Sequence, residues 1–287
     1  MIADIAEKVY ANERIDRADA QRLFAHANLA ELGMLAHWVR LQRHPESVVT
    51  YNVGRNINYT NVCWVKCDFC AFYRKPGSDE GYVLPKEQIF AKIDELIEVG
   101  GDEAKSCEIL MQGGLNPKLR LEYYEDLLSA IRDRYPQVHL HCLSATEIIY
   151  IAKLSKLSLE ETIRRLRDAG LDSIPGAGAE ILVDEVRDII GFRKDRTSEW
   201  LDVHRIAHGL DMRTSATMMY GHVESVEQRI EHLQLLRDLQ DETAGFTAFI
   251  SWNFQPDHTD LGGDAERWNG AKATGFDHLR TVAVARL

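Results

Sequence analysis

Long apolar runs are missing from this chain, and no stretch approaches the roughly 20 residues that a membrane-spanning helix needs. The opening run Met1-Ile2-Ala3-Asp4-Ile5-Ala6-Glu7-Lys8 is broken by charges, so no secretory h-region is expected. Positive charge is also short. Lys and Arg number 34 against 45 Asp and Glu, a formal net charge of -11, which excludes nucleic-acid phosphates as the main partner. Cysteine is scarce: five residues in 287, an odd number with three clustered. That excludes a disulfide framework and suits a reducing, cytoplasmic setting. Low-complexity segments and short-period repeats are absent too. What remains, 45% hydrophobic and 28% charged residues, is ordinary for a globular protein.

The three clustered cysteines carry the most information. Cys63, Cys67 and Cys70 stand in the run Asn61-Val62-Cys63-Trp64-Val65-Lys66-Cys67-Asp68-Phe69-Cys70-Ala71-Phe72-Tyr73, spaced C-x3-C-x2-C, with an aromatic residue just before the third. No fourth cysteine follows closely. Three thiolates on one loop can hold three irons of a 4Fe–4S cluster and leave the fourth iron open, whereas closed electron-transfer clusters normally use four. An open coordination position is the logic of a reactive metal site. The competing reading is structural zinc, which usually requires a second tight Cys or His pair. Cys107 and Cys142 are isolated and lie in or beside apolar runs.

Hydrophobic periodicity predicts the frame. Residues 3–40 read as helices and Arg40 to Glu46, with Pro45, as a linker, which gives a helical segment over 1–46 and a second unit over 47–287. Strands are expected at Val48–Tyr59, Glu108–Gln112, Val138–Cys142, Leu171–Ile174, Thr214–Met219 and Phe246–Ile250. Helices are expected over 86–99, 121–134, 146–168, 181–190, 198–209, 225–240 and 275–286. Such alternation predicts an α/β fold with a parallel sheet, a partial or full βα barrel.

In such folds the active site lies at the carboxyl ends of the strands. The cysteine loop follows the first strand, Gln112-Gly113-Gly114 the second, and Ser144 the third. Pro175-Gly176-Ala177-Gly178-Ala179-Glu180 follows the fourth, Tyr220-Gly221-His222-Val223-Glu224 the fifth, and Trp252-Asn253-Phe254-Gln255-Pro256 the sixth. All of these clusters fall on one rim. Gly113-Gly114 permits close backbone approach, to a ligand or within a tight turn. Glu180 is placed to bond a ribose hydroxyl or to act as an early acid of the next helix. Ser144 is placed to touch ribose or to cap the helix near Thr146. Gly176-Ala177-Gly178 lacks the third glycine of a dinucleotide fingerprint. His139 and His141 alternate on one strand, so they point the same way, into a site or as satisfied core residues. His222 and Glu224 read as substrate contacts or a proton relay, though two residues at i, i+2 do not make a metal site. Asn58, Thr60 and Asn61 lead into the cysteine loop. Trp252, Gln255 and His258 are candidates to line a pocket.

These phrases resemble the radical S-adenosylmethionine (SAM) superfamily, and within it the branch that holds the menaquinone enzymes of the futalosine route and a deazaflavin synthase. The resemblance runs from about Tyr51 and rests on Arg55 to Cys63, Cys67 to Arg74, Gln112 to Leu115, Gly178 to Leu182, Thr217 to Glu224 and Gln240 to Ile250. Ile174 to Gly178 and Trp252 to Pro256 look most like the members that cyclise dehypoxanthinylfutalosine. The resemblance implies a radical SAM-type partial βα barrel with a 4Fe–4S cluster on Cys63, Cys67 and Cys70. It implies SAM held near Phe69, Gln112, Gly113, Gly114, Ser144 and Glu180, and a flavodoxin- or ferredoxin-type electron donor. It also implies a 5′-deoxyadenosyl radical that takes the C4′ hydrogen of dehypoxanthinylfutalosine, whose sugar radical then closes on its own aromatic ring. A base must accept the final proton, and Glu180, His222 and Glu224 are the candidates. Two departures stand out: a run over 102–108 longer than expected, and family members that continue past a position like Leu287 with further strand and helix.

Cys67→Ala is expected to abolish SAM cleavage, because two thiolates do not hold the cluster securely. Iron and sulfide counts after anaerobic reconstitution, together with 5′-deoxyadenosine yield, check this. A full cluster with retained cleavage refutes the ligand assignment.

Overall fold

The computed structural model describes residues 2–46, 48–100, 107–191 and 193–287. Three helices open the chain: α1 (Ala3–Tyr10), α2 (Arg17–His26) and α3 (Leu29–Arg43). Asp16 and Asn28 start the second and third. Each side chain accepts from the N–H three residues on, at 2.8 and 2.9 Å, and Asp19 and Glu31 answer in reciprocal capping boxes.

The rest alternates strand and helix: β1 (Gly54–Asn58), α4 (Lys86–Gly100), β2 (Glu108–Gln112), α5 (Leu121–Arg134), β3 (His139–Cys142), α6 (Ala145–Ser155), α7 (Leu159–Asp168) and β4 (Ser173–Ile174). Then come α8 (Asp184–Gly191), α9 (Thr197–Gly209), β5 (Arg213–Tyr220), α10 (Val226–Thr243), β6 (Phe246–Asn253) and α11 (Gly275–Arg286). The six strands form one parallel sheet in the order β1-β2-β3-β4-β5-β6. Chain order and sheet order coincide, as in a barrel wall built one right-handed βα unit at a time. The expected α/β partial barrel is therefore present.

Four expectations need correcting. The single helix over 146–168 is two: Lys156 takes the left-handed conformation (φ 58°) that ends α6, and Ser158 accepts from the Glu161 N–H at 3.1 Å to start α7. The helix expected from 181 begins at Asp184, because Ile181, Leu182 and Val183 are spent as buried loop residues. The long first strand shrinks to Gly54–Asn58, and Val48 and Val49 are exposed. The fourth strand keeps only Ser173–Ile174. Within the long run over 102–108, residues 102–106 lie outside the described residues.

Period-two alternation sorts the strand side chains. Ile109, Met111, Leu140 and Cys142 are buried outward, in a core shared with Leu121, Leu127 and Leu128 of α5 and Ile148 and Ile149 of α6. Glu108, Leu110, Gln112, His139, His141, Arg213, Ser215 and Thr217 face inward and line a cavity of about 630 Å³. The inside of the half-barrel thus mixes polar and apolar side chains, while its outside is apolar. A second cluster joins the opening helices, through Ile5, Val9, Leu23, Leu32 and Leu35, to Ile230 of α10 and Val284 of α11. Polar clasps reinforce it: Arg14 to Asp241 at 2.7 Å, Gln21 to Glu227 at 2.9 Å, and Arg237 to the Ile15 carbonyl at 2.9 Å.

Leu23 is fully buried in that second cluster. Leu23→Ala should cost about 2–5 kcal/mol of stability through lost transfer energy and a residual cavity. Urea unfolding of the variant beside the parent protein measures the loss.

Candidate active site

The cysteine loop leaves β1 and is pinned on every side. Thr60 Oγ1 donates to the Tyr82 carbonyl at 2.6 Å, and Asn61 bonds both the Glu80 carbonyl (3.0 Å) and the Tyr82 N–H (2.8 Å). Cys63 N–H donates to the Arg74 carbonyl at 2.9 Å, and Arg74 N–H to the Asn61 carbonyl at 2.7 Å, which closes the loop on itself. Further along, the Asp68 N–H donates to Ile190 of α8 at 2.8 Å, the Leu261 N–H donates to the Asp68 carbonyl at 2.8 Å, and Lys66 pairs with Asp260 at 2.9 Å. Lys66 itself adopts a left-handed turn (φ 37°).

The glycine pair is required by this loop. A Cβ on Gly114 would lie 2.4 Å from the Val62 carbonyl oxygen and 2.9 Å from Cys63 Cβ, and one on Gly113 would lie 2.7 Å from the Tyr59 ring. Gly114 N–H donates to the Thr60 carbonyl at 2.9 Å. Close backbone approach is thus used, between β2's exit and the cysteine loop.

Behind the pair sits Glu147, 2% exposed, which sequence reasoning missed. One carboxylate oxygen accepts from Tyr59 OH (2.7 Å) and Gly113 N–H (3.0 Å). The other accepts from the Ser144 N–H (2.8 Å) and hydroxyl (2.7 Å). Burial pushes its pKa up against these donors, which pull it down. The signal available was Ser144-Ala145-Thr146-Glu147, a capping-box pattern. Ser144 does cap α6.

Glu180 is buried, in a left-handed conformation (φ 44°), and lies before α8 rather than in its first turn. Its carboxylate pairs with Lys194 at 3.3 Å. Lys194 also reaches Thr146 Oγ1 (3.1 Å), Thr146 donates to Asp195 (2.7 Å), and Asp195 pairs with Arg187 (2.7 Å). These four charges form one buried network. The nearby glycines serve packing: a Cβ on Gly176 would lie 2.6 Å from Ala216 Cα, and one on Gly178 2.3 Å from Thr146 Oγ1.

His222 and Glu224 are brought together, with both side chains fully buried. His222 Nδ1 accepts the Val223 N–H (2.8 Å) and Nε2 donates to the Met219 carbonyl (3.0 Å), while burial pushes its pKa down. Glu224 accepts from the Gly221 and His222 N–H groups (2.6 and 3.0 Å) and from Arg229 (2.7 Å). Neither lines the lumen cavity. Phe69 packs on the cluster of Met218, Tyr220 and Phe254 beneath the rim. Trp252 and Gln112 line the cavity, and Gln255 and His258 are exposed on the surface.

The thiols fit an iron–sulfur cluster. All three are unbridged and part-exposed. Cys63 and Cys67 are pushed up in pKa chiefly by burial, and each is raised further by the charges of the neighbouring thiols. Their thiolates therefore call for a cationic partner, which iron supplies. Among the described residues no three His, Cys, Asp or Glu side chains converge on a single ion. A cubane takes one thiolate per iron, so three cysteines on one loop suit it.

A parallel half-barrel with three unbridged cysteines on one rim loop has the build of an iron–sulfur enzyme. The pattern of the radical SAM superfamily matches residues 57–236, and the chain belongs to that superfamily, whose members bind a 4Fe–4S cluster and SAM. It is 45% identical over 286 residues to the cyclic dehypoxanthine futalosine synthase of Halalkalibacterium halodurans, covering 100% of this chain and 74% of that protein. It is 39% identical over 286 residues to the aminodeoxyfutalosine synthase of Thermus thermophilus, covering 99% and 74%. Among solved structures, methylornithine synthase superposes with a TM-score of 0.71 at 15% identity, covering 98% of this chain and 77% of that one.

Glu147→Gln is expected to destabilise the protein by about 1–3 kcal/mol, because an amide nitrogen cannot accept the two hydrogen bonds made by the oxygen it replaces. It should also lower iron retention by loosening Gly113 and Tyr59 behind the cysteine loop. Urea unfolding and iron content read the two effects separately.

Proposed function

We propose that this protein is a cyclic dehypoxanthine futalosine synthase, a menaquinone-route enzyme that closes dehypoxanthinylfutalosine into its spirocyclic product. The observation that carries this reading is the 45% identity to the H. halodurans enzyme over this whole chain and 74% of that protein, which exceeds the 39% identity to the aminodeoxyfutalosine synthase of the same branch. When bound, the cluster and SAM supply a 5′-deoxyadenosyl radical that accepts the substrate's C4′ hydrogen.

The chain's residues do the remaining work. Cys63, Cys67 and Cys70 would hold three irons. Gly113, Gly114 and Gln112 would receive SAM beside the cluster, with Phe69, Ser144 and Glu180 around its nucleoside. The Glu180–Lys194 pair supports this, because it holds a carboxylate at the rim in one orientation. The lumen cavity is of the size that encloses a small-molecule substrate. Pro175, Ala177, Ile250 and Trp252 give it apolar walls that keep water and stray hydrogen donors from a radical. Enclosure also holds the sugar and the aromatic ring of one substrate together for closure. We assign His222 and Glu224 to shaping the loop after β5, as their backbone bonds favour. We treat residues 47–287 as the catalytic unit and 1–46 as a helical clasp on it. A cytoplasmic setting and a flavodoxin- or ferredoxin-type electron donor suit five unbridged cysteines and an oxygen-sensitive cluster.

The test is anaerobic incubation of reconstituted protein with SAM, reductant and each candidate substrate of the branch. A spirocyclic product from dehypoxanthinylfutalosine alone is expected. Turnover of the aminodeoxyfutalosine synthase substrate instead, or no 5′-deoxyadenosine with any of them, overturns the reading.

A further inference from the structure

The inward face of the half-barrel holds a continuous line of hydroxyls and imidazoles. Ser215 of β5 lies 3.1 Å from His141 Nε2, His141 Nδ1 lies 2.6 Å from Ser173 Oγ, and Ser173 Oγ lies 2.7 Å from His139 Nε2. His139 Nδ1 ends the line 3.8 Å from Asp172. Strand register builds it: His141 sits opposite Ser173 across β3 and β4, and alternation brings His139 and His141 to the same face. The line runs from mid-lumen to the amino end of the sheet, where the His139 side chain is 48% exposed.

Hydrogen counting makes the line run one way at a time. Ser173 has one hydroxyl proton and two imidazole neighbours, so it donates to one and accepts from the other. Ser215 Oγ accepts the Gly176 N–H at 3.1 Å and keeps its own proton to donate to His141 Nε2, the direction we assign. His141 Nδ1–H then donates to Ser173, and Ser173 O–H to His139 Nε2. A proton delivered to Ser215 Oγ sends the Ser215 proton to His141 Nε2, the one on His141 Nδ1 to Ser173, and the Ser173 proton to His139 Nε2. Every bond keeps two heavy atoms and one hydrogen throughout.

The geometry points to this line as the exit for the proton that cyclisation releases, with Ser215 as its lumen end and His141, Ser173 and His139 as relay residues. It rests on the proposed cyclisation, in which rearomatisation of the substrate ring gives up one proton. The accompanying electron leaves separately, to a one-electron acceptor of the iron–sulfur class. Burial lowers the pKa of His141 to about 4, so the ring stays neutral and passes a proton on rather than keeping it. The charged groups on the same cavity are Glu108 of β2, Asp172 before β4, and Asp211 and Arg213 at β5.

Ser173→Ala removes the bridging hydroxyl and keeps both histidines, and Ser173→Thr restores it. In single-turnover assays S173A should lose about tenfold or more in spirocyclic product per 5′-deoxyadenosine formed. S173T should recover most of that ratio, and His139→Gln should lower it as S173A does. Imidazole ¹⁵N spectra of the parent holoprotein should show His141 protonated at Nδ1, and S173A should change the His139 signal. An unchanged product ratio in both S173A and H139Q, or a parent His141 protonated at Nε2, overturns the inference. If the parent protein makes no spirocycle, the functional reading fails, and the spectra still decide whether the line has this direction.

Discussion

A buried carboxylate must find donors, and the donors Glu147 finds come from three different strand exits. Tyr59 follows β1, Gly113 follows β2 and Ser144 follows β3. An acid taken out of water is costly unless fully hydrogen-bonded, so its position dictates theirs. The cysteine loop, the glycine pair and the start of α6 are thereby held as one piece. The contact of Gly114 with Val62 works only inside that frame, because it leaves no tolerance for a shift. A cluster whose irons must present one open site to one small molecule needs such rigidity in the residues behind it.

On the other half of the rim the same problem is solved with paired charges. Glu180, Lys194, Asp195 and Arg187 are each almost wholly buried and neutralise one another. Glu180 takes a backbone conformation that a side chain rarely adopts, and its carbonyl accepts the Met219 N–H at 3.0 Å. Strain at a functional rim that is fixed from both sides is the usual form of preorganisation.

Much of this was legible in the sequence, for physical reasons. Alternating apolar periods gave six strands in order, and turn and glycine clusters after each strand gave the rim. The cysteine spacing survives any packing detail, because it is local. What escaped was long-range. Glu147 looks like an ordinary helix acid until Tyr59 and Gly113, 88 and 34 residues away, are brought to it. His222 and Glu224 stand two residues apart in the sequence, and only the structure shows the backbone donors of their own loop that bond them. Lys156 gave no sign of ending a helix, since lysine is a good helix former and a left-handed cap is a tertiary decision. His139 and His141 pointed the same way as expected, and only the sheet register shows which hydroxyls stand between them.

The clasp of the opening helices also bears on synthesis. Arg14 meets Asp241 across 227 residues, and Leu23 and Leu32 pack with Ile230 and Val284. On the ribosome these first helices emerge long before α10 and α11 exist. Their apolar stripe must wait, exposed, while the strands behind it are made. Contacts of such sequence separation form late and slowly. The newborn chain is therefore a client for holding factors at its leading end, and the final docking of that end is the step that closes its window for aggregation.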